Sequence, residues 1–178
     1  MDFVARHTAV PVPKVYDLFS GRLHGSKDVL HLVMEYVPGV ELERLWGRME
    51  EEDRLEIVQQ LRGYISELRR LKPPRPGAVE SVYSRPCQQQ TIRSEPFGPF
   101  PSVKEFQRFL ELERTAVREY TTTFTHGDIA PRNIIVRGNK IVAILDWESA
   151  GWYPEYWEYT RTVAPMVCRQ FIRTSVPE

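Results

Sequence analysis

Two apolar strands joined by a Gly-Asn turn are the feature that most restricts how this chain can fold. Residues 133–137 read Asn-Ile-Ile-Val-Arg and residues 140–145 read Lys-Ile-Val-Ala-Ile-Leu, with Gly138 and Asn139 between them. Apolar runs of this length around a two-residue turn predict a β-hairpin. Because a hairpin brings its outer ends together, the residues before the first strand should lie beside those after the second.

The residues at these two ends are polar and carry oxygen donors. His126, Asp128 and Asn133 lie on one side of the hairpin, and Asp146 follows the other. Two carboxylates and an amide oxygen suit Mg²⁺, which usually completes its shell with phosphates. Phosphoryl transfer needs metal ions to neutralise phosphate charge and a carboxylate to accept a hydroxyl proton. The pattern H-x-D-x-x-x-x-N with a later Asp therefore has the form of a kinase catalytic loop and metal-binding aspartate.

The rest of the chain predicts a mixed α+β fold. Residues 1–8 are typical of the end of a helix, and residues 77–101 predict an ordered loop with at most one short strand. Ser102 and Glu105 form a capping box, which indicates the start of a helix. The periodic segments predict strands over 15–19 and 28–37 and helices over 55–71 and 102–120.

Composition excludes several classes of protein. The 24 Lys and Arg residues balance 24 Asp and Glu residues, so no global positive field favours nucleic acid. No run approaches the roughly 18 apolar residues of a membrane span. Cys87 and Cys168 could form one bridge at most, which argues against an extracellular disulfide scaffold. We therefore expect one soluble domain in the cytoplasm, with no nucleic acid or membrane as a partner.

Several segments together are similar to one known family. His126-Gly-Asp-Ile-Ala-Pro-Arg-Asn133-Ile-Ile-Val resembles the catalytic loop of the aminoglycoside phosphotransferase and choline kinase superfamily, and Ile144-Leu-Asp146-Trp-Glu resembles its metal loop. The similarity runs from about residue 4 to about residue 159. Further segments resemble the fungal-type phosphotransferase branch of this family: residues 10–16, 32–39, 98–100 and 152–157.

The resemblance implies a role for each matching residue. Asp128 would be the catalytic base, Asn133 and Asp146 would bind Mg²⁺, and His126 would support the loop. ATP would be the co-substrate, and an unidentified small molecule with a hydroxyl group would accept its γ-phosphate. The adenine would meet backbone groups of a hinge formed by Glu35, Tyr36 and Val37.

The same resemblance implies a protein kinase-like fold, mostly the helical C-terminal lobe with a remnant of the N-terminal lobe sheet. Residues 1–38 would be that remnant with the hinge, and residues 39–178 a C-terminal catalytic lobe that is incomplete at its end. The chain contains no G-x-G loop, strand lysine or partner glutamate for holding the phosphates. We therefore expect a chain truncated at both ends, with weak ATP binding and little turnover alone.

Two other functions remain open at this point. A non-catalytic remnant or binding module would leave an exposed apolar patch around residues 29–37. A metal-dependent hydrolase could use His126, Asp128 and Asp146, but that activity does not explain Asn133 or the hinge-like segment. Protein kinase activity is not expected, because no Ala-Pro-Glu activation segment follows Asp146.

The C-terminal region is rich in aromatic and acidic residues. Glu148 is predicted at the surface or supporting the site rather than binding metal, whereas Glu155 and Glu158 are predicted on a solvated helix face. Three tryptophans are predicted to pack in the core rather than line a substrate pocket: Trp147, Trp152 and Trp157.

Overall fold

A computed structural model of the protein describes residues 1–22, 28–110 and 119–161. Its helices are α1 (Asp2–His7), α2 (Leu42–Leu45), α3 (Glu51–Arg70), α4 (Val103–Phe109) and α5 (Trp157–Arg161). Its strands are β1 (Val15–Arg22), β2 (Asp28–Met34), β3 (Val40–Glu41), β4 (Glu80–Ser81), β5 (Cys87–Gln89), β6 (Arg93–Phe97), β7 (Thr122–Thr125), β8 (Ile134–Arg137), β9 (Lys140–Ile144) and β10 (Gly151–Pro154).

The predicted hairpin is confirmed. Strands β8 and β9 pair antiparallel, with Ile134 opposite Ile144 and Arg137 opposite Lys140. Strand β3 pairs with the free edge of β8, so these strands form one three-stranded sheet in the order β3-β8-β9. A second three-stranded sheet has the order β4-β10-β7. The hairpin therefore brings residues 133 and 145 together, and the Leu145 amide donates to the Asn133 carbonyl at 2.8 Å.

Helix α3 is the main packing element. The helix begins at Glu51, four residues before the start that the sequence predicts. Acidic residues occupy its first turn, where their negative charge interacts favourably with the helix dipole. The buried face of α3 packs against the two three-stranded sheets, and α1 and the segment after α1 pack into the same core. This first core contains, among others, Val4, Val10, Ile57, Leu61, Ile65, Leu68, Phe124, Ile134, Trp147 and Trp152.

Residues 77–101 contain more strand than the loop that the sequence predicts. It contains β4, β5 and β6, and β5 pairs antiparallel with β6 through Cys87 and Phe97. The side chains of Cys87 and Phe97 are buried in a second core, and this burial stabilises the strands although most residues of the segment are polar. That core also contains Val79, Val103, Phe106, Tyr153 and Trp157. Core packing of the three tryptophans is confirmed.

Helix α4 begins where the capping box predicts. The Ser102 hydroxyl accepts a hydrogen bond from the Glu105 amide at 3.2 Å. The helix ends at Phe109, before its predicted end at residue 120: Leu110 lies in a turn, and residues 119 and 120 are not helical. Residues 111–118 lie outside the described residues. Residues 23–27, between β1 and β2, also lie outside them, as do Cys168 and the C-terminal end from residue 162.

The β1–β2 pair carries apolar side chains in contact with solvent. Leu30 is 66% exposed and Tyr36, just beyond the pair, is 84% exposed. The expected apolar patch is therefore present, and it extends to β1 through Leu18 and Phe19. Among the described helices, none is both long enough and apolar enough to cross a membrane.

Candidate active site

His126 connects the two loops that the hairpin brings together. It follows β7, its side chain is fully buried, and its Nε2 lies 2.8 Å from the Leu145 carbonyl oxygen. The Asp128 amide donates to Nδ1 at 3.2 Å, so Nε2 carries the proton and donates to Leu145. Burial lowers the pKa of His126 to about 4, which keeps the imidazole neutral near pH 7. His126 thus holds the loop of Asp128 against the residue that precedes Asp146.

Asp128 is held through one of its carboxylate oxygens. Arg132 donates to Asp128 Oδ2 at 2.6 Å, and the Asn133 side-chain amide donates to the same oxygen at 2.9 Å. Asn133 also donates to the Asp128 carbonyl at 2.9 Å. Within the described residues, no hydrogen bond uses Asp128 Oδ1. The amide nitrogen of Asn133 is therefore committed to Asp128, and its carbonyl oxygen is the atom left for a metal ion.

Asp146 has an unusual backbone conformation at the end of β9. Its φ of 62° and ψ of 62° lie in the left-handed region, which is strained for a residue with a Cβ and is concentrated at functional sites. Burial raises the pKa of Asp146, and the charge of Asp128 raises it further, while Arg132 lowers it. The two carboxylates are thus close enough to repel each other, an arrangement that a bound cation would relieve.

These oxygen donors fit Mg²⁺, which shares its coordination shell with water and phosphates, better than they fit a metal ion that is bound by protein side chains alone. Within the described part of the chain, no three His, Cys, Asp or Glu side chains converge as a metal cluster. The Asp146 carboxylate and the Asn133 amide oxygen would supply hard oxygen ligands. Mg²⁺ typically binds one or two carboxylates together with water and substrate phosphates, so a partial protein shell of this kind is sufficient.

A cleft of about 360 Å³ lies between the segment after β2 and the β8–β9 hairpin. One wall is the segment after β2, which includes Glu35, Tyr36 and Val37, and the opposite wall includes Ile135 and Leu145. Leu145 directly precedes Asp146 and Ile135 lies two residues after Asn133, although Asn133 and Asp146 do not themselves line the cleft. The amide of Glu35 donates to the Lys14 carbonyl at 2.8 Å, so this N–H is already engaged within the β1–β2 region.

The expectation that Glu158 lies on a solvated face is wrong. Glu158 is 1% exposed, and its two carboxylate oxygens accept hydrogen bonds from the amides of His126 and Gly127 at 2.7 and 3.1 Å. Burial raises the pKa of Glu158 to about 7, although these hydrogen bonds lower it. Helix α5 is too short for a periodicity argument, and no sequence signal marks its inner side. Glu155 is partly exposed and accepts from the Thr121 hydroxyl at 3.2 Å.

Glu148 lies in the short 3₁₀ helix Trp147–Ser149 that follows Asp146. Its side chain is exposed and accepts a hydrogen bond from the side-chain amide of Gln90 at 3.2 Å. The structure therefore places Glu148 at the surface, beside the site and bonded to the β5–β6 region.

Solved structures with similar folds include aminoglycoside phosphotransferases. The chain superposes on an aminoglycoside-3'-phosphotransferase of type VIII with a TM-score of 0.61 and 22% identity, covering 98% of this chain and 68% of that one. It superposes on a thermostable mutant of aminoglycoside phosphotransferase APH(4)-Ia, in a complex with ADP and hygromycin B, with a TM-score of 0.56 and 16% identity. That alignment covers 89% of this chain and 58% of the other.

A third structure is the GDP and kanamycin complex of an aminoglycoside 2''-phosphotransferase, with a TM-score of 0.58 and 16% identity, covering 97% of this chain and 62% of that one. These likenesses show the kinase-like fold of aminoglycoside phosphotransferases. The chain spans about three fifths to two thirds of the length of these structures. A comparison with curated proteins found no match. The model of the phosphotransferase enzyme family matches residues 1–174, so the chain belongs to that family.

Proposed function

We propose that this chain carries the catalytic site of an ATP-dependent kinase that transfers the γ-phosphate to a hydroxyl group of a small molecule. The observation that carries the proposal is the meeting of Asp128, Asn133 and Asp146 at one end of the β8–β9 hairpin, beside the cleft lined by residues 35–37. A base, a metal-binding pair and a nucleotide-sized cleft are the parts that phosphoryl transfer needs.

Each residue has a separate role in this proposal. Asp128 Oδ1 accepts the proton of the substrate hydroxyl, while Arg132 and Asn133 hold Oδ2 and so orient the carboxylate. Asn133 and Asp146 would hold Mg²⁺, which, when bound, neutralises phosphate charge. Backbone groups of Glu35, Tyr36 and Val37 would meet the adenine. His126 keeps the two loops in register through Leu145.

The ligands in similar structures support a nucleotide and a small molecule as the ligands in this proposal. Two of the three structures compared hold ligands: one holds ADP with hygromycin B and the other GDP with kanamycin. We infer from them a nucleotide and a small polyhydroxylated molecule as ligands of this chain, and we place the reaction in the cytoplasm. The acceptor need not be an aminoglycoside, because one fold and one metal site serve many acceptors.

We further propose that residues 1–178 alone bind ATP weakly and turn over slowly. The sequence contains no G-x-G loop, and residues 1–34 contain no glutamate that could pair with a lysine to hold the phosphates. In this proposal, residues 1–38 are a partial N-terminal lobe with the hinge, and residues 39–178 the catalytic lobe. Isothermal titration with Mg·ATP checks the expectation, and micromolar affinity would contradict it.

The test of function is phosphoryl transfer from labelled ATP. The chain is incubated with Mg²⁺, γ-labelled ATP and, separately, kanamycin, hygromycin B or choline, and the products are identified by mass spectrometry. Wild type should give a phosphorylated acceptor, at whatever rate, and Asp128→Asn should lower that rate by about 10²–10⁴-fold. Glu148→Gln is the matched control in the same site region and should retain the wild-type rate.

Two results would reject this function. Equal rates in wild type and Asp128→Asn would exclude Asp128 as the base. Hydrolysis of a generic phosphoester without any acceptor would favour the metal-dependent hydrolase instead.

A non-catalytic binding module is the alternative that one observation favours. The apolar side chains of β1 and β2 are exposed, among them Leu18, Phe19 and Leu30. Contiguous exposed apolar surface is typical of interaction sites. This alternative predicts no Mg²⁺-dependent nucleotide binding by the chain under any conditions.

A further inference from the structure

Gln89 is a buried polar residue that connects both loops of the site. It ends β5 and is only 4% exposed, although β5 pairs with β6 rather than with the site strands. Its side-chain amide nitrogen donates to the Gly127 carbonyl at 3.0 Å, and its amide oxygen accepts from the Ser149 hydroxyl at 3.0 Å. A carbonyl can only accept, so the chemistry of the Gly127 contact fixes which way the amide faces.

The two loops touch at the same point. Gly127 has a φ of 82°, and a Cβ built on it would lie 2.7 Å from the Ser149 carbonyl oxygen. Only glycine allows the backbones to come this close. Gly127 directly precedes Asp128, and Ser149 belongs to the short helix that begins after Asp146. The separation of the two carboxylates therefore depends on this contact.

Gly127 is held from both sides of its backbone. Its N–H donates to Glu158 at 3.1 Å, and its carbonyl accepts from Gln89 at 3.0 Å. Glu158 accepts from backbone amides of the Asp128 loop, whereas Gln89 binds this loop and also Ser149. Gln89 thus joins this glycine to the loop after Asp146.

A buried glutamine must satisfy its own amide somewhere, and that need alone would explain a hydrogen bond. It does not explain the choice of partners. Both partners lie in the site loops, 38 and 60 residues away in sequence, rather than in the β5–β6 pair that carries Gln89.

We propose that Gln89 is a positioning residue of the phosphoryl-transfer site, setting the spacing between the loop of Asp128 and the loop of Asp146 so that together they bind a magnesium nucleotide. The inference rests on the proposed function for its metal and nucleotide, but the joining of the loops can be tested without them.

The test compares two glutamine-to-leucine changes of similar burial. Gln89→Leu removes both hydrogen bonds to the loops. Gln107→Leu is the control, because Gln107 is 8% exposed and its amide donates at 3.4 Å to the Tyr156 hydroxyl in the second core, away from both loops. Gln89→Glu keeps the acceptor for the Ser149 hydroxyl but places an oxygen against the Gly127 carbonyl, so it loses only the hydrogen bond to Gly127. This variant replaces Gln89→Leu in the test if Gln89→Leu does not fold.

Two measurements are made on the full chain. Hydrogen exchange is followed in peptides covering residues 126–129 and 147–150, and Mn²⁺ binding in the presence of AMP-PNP is followed by water proton relaxation. Gln89→Leu should speed exchange in both loop peptides and weaken Mn²⁺ binding about tenfold, the size typical for residues that orient metal ligands. Gln107→Leu should do neither, even where it lowers the melting temperature equally.

Unchanged exchange in both loops of Gln89→Leu would overturn the proposal, and so would equal effects in Gln107→Leu. If wild type binds no Mn²⁺ with AMP-PNP, the proposed function fails. The exchange comparison then still decides whether Gln89 joins the loops.

Discussion

The carboxylate of Glu158 accepts a hydrogen bond from the backbone amide of His126 at 2.7 Å, so α5 anchors the loop that carries Asp128. The second carboxylate oxygen accepts from the Gly127 amide at 3.1 Å. An acidic residue that would be exposed on an isolated helix is here an internal acceptor for consecutive backbone donors. The stability of the site loop is therefore linked to a residue about thirty positions further along the chain.

Replacing Glu158 with Leu should destabilise the protein strongly. The change keeps a similar volume but leaves the buried amides of His126 and Gly127 without their acceptor, at a cost of about 1–3 kcal/mol each. Urea unfolding at pH 5, where Glu158 still contributes to the stability of the folded state, measures the loss. Glu155→Leu, in the same segment but partly exposed, should change the free energy of unfolding by no more than about 0.5 kcal/mol. Equal losses in the two variants would contradict the anchoring role of Glu158.

The stability of the protein should depend on the ionisation of Glu158. Burial raises its pKa in the folded state from 4.5 to about 7. Because the folded state then binds the proton more tightly, the contribution of Glu158 is fully present below about pH 4.5 and is lost as the pH rises through 7. The free energy of unfolding of wild type relative to Glu158→Gln should therefore fall between these pH values. A difference that rises with pH would show that the backbone hydrogen bonds outweigh burial.

His126 should give a pH dependence of opposite sign. Burial lowers its pKa from 6.5 to about 4, so its contribution is fully present above about pH 6.5 and is lost as the pH falls toward 4. The stability of wild type relative to His126→Gln should therefore fall on acidification over this range. Titration of the imidazole by NMR checks the assignment directly, and a midpoint near 6.5 would contradict it.

Two glycines with positive φ should respond differently to alanine. Gly138, in the β8–β9 turn, has open space around a built Cβ, so Gly138→Ala should cost only the left-handed strain of about 1–2 kcal/mol. Gly127→Ala carries the same strain and also presses a methyl group against the Ser149 backbone, which should add about 1–3 kcal/mol. Urea unfolding of both variants measures the difference, and equal losses would show that the loops can move apart freely.

The features that sequence predicts correctly here are local. The β8–β9 hairpin follows from two apolar runs and a two-residue turn, and the start of α4 follows from a serine and a glutamate three residues apart, Ser102 and Glu105. From the hairpin alone, residues 126–128 and 133 are expected beside residue 146, and the structure brings them together. Such features depend on neighbouring residues, so periodicity and turn chemistry are enough to find them.

The features that sequence missed depend on partners far along the chain. Strands β5 and β6 form in a polar segment because Cys87 and Phe97 reach the second core, and Gln89 and Glu158 are buried because distant backbone groups need them. Composition describes how polar a residue is but not which donor or acceptor will face it. The sequence alone thus determined the hairpin and the set of oxygen-bearing side chains at its ends. The tertiary structure decided which buried side chains hold the loops of those residues in place, because a buried polar group is stabilised only by the partner that packing brings to it.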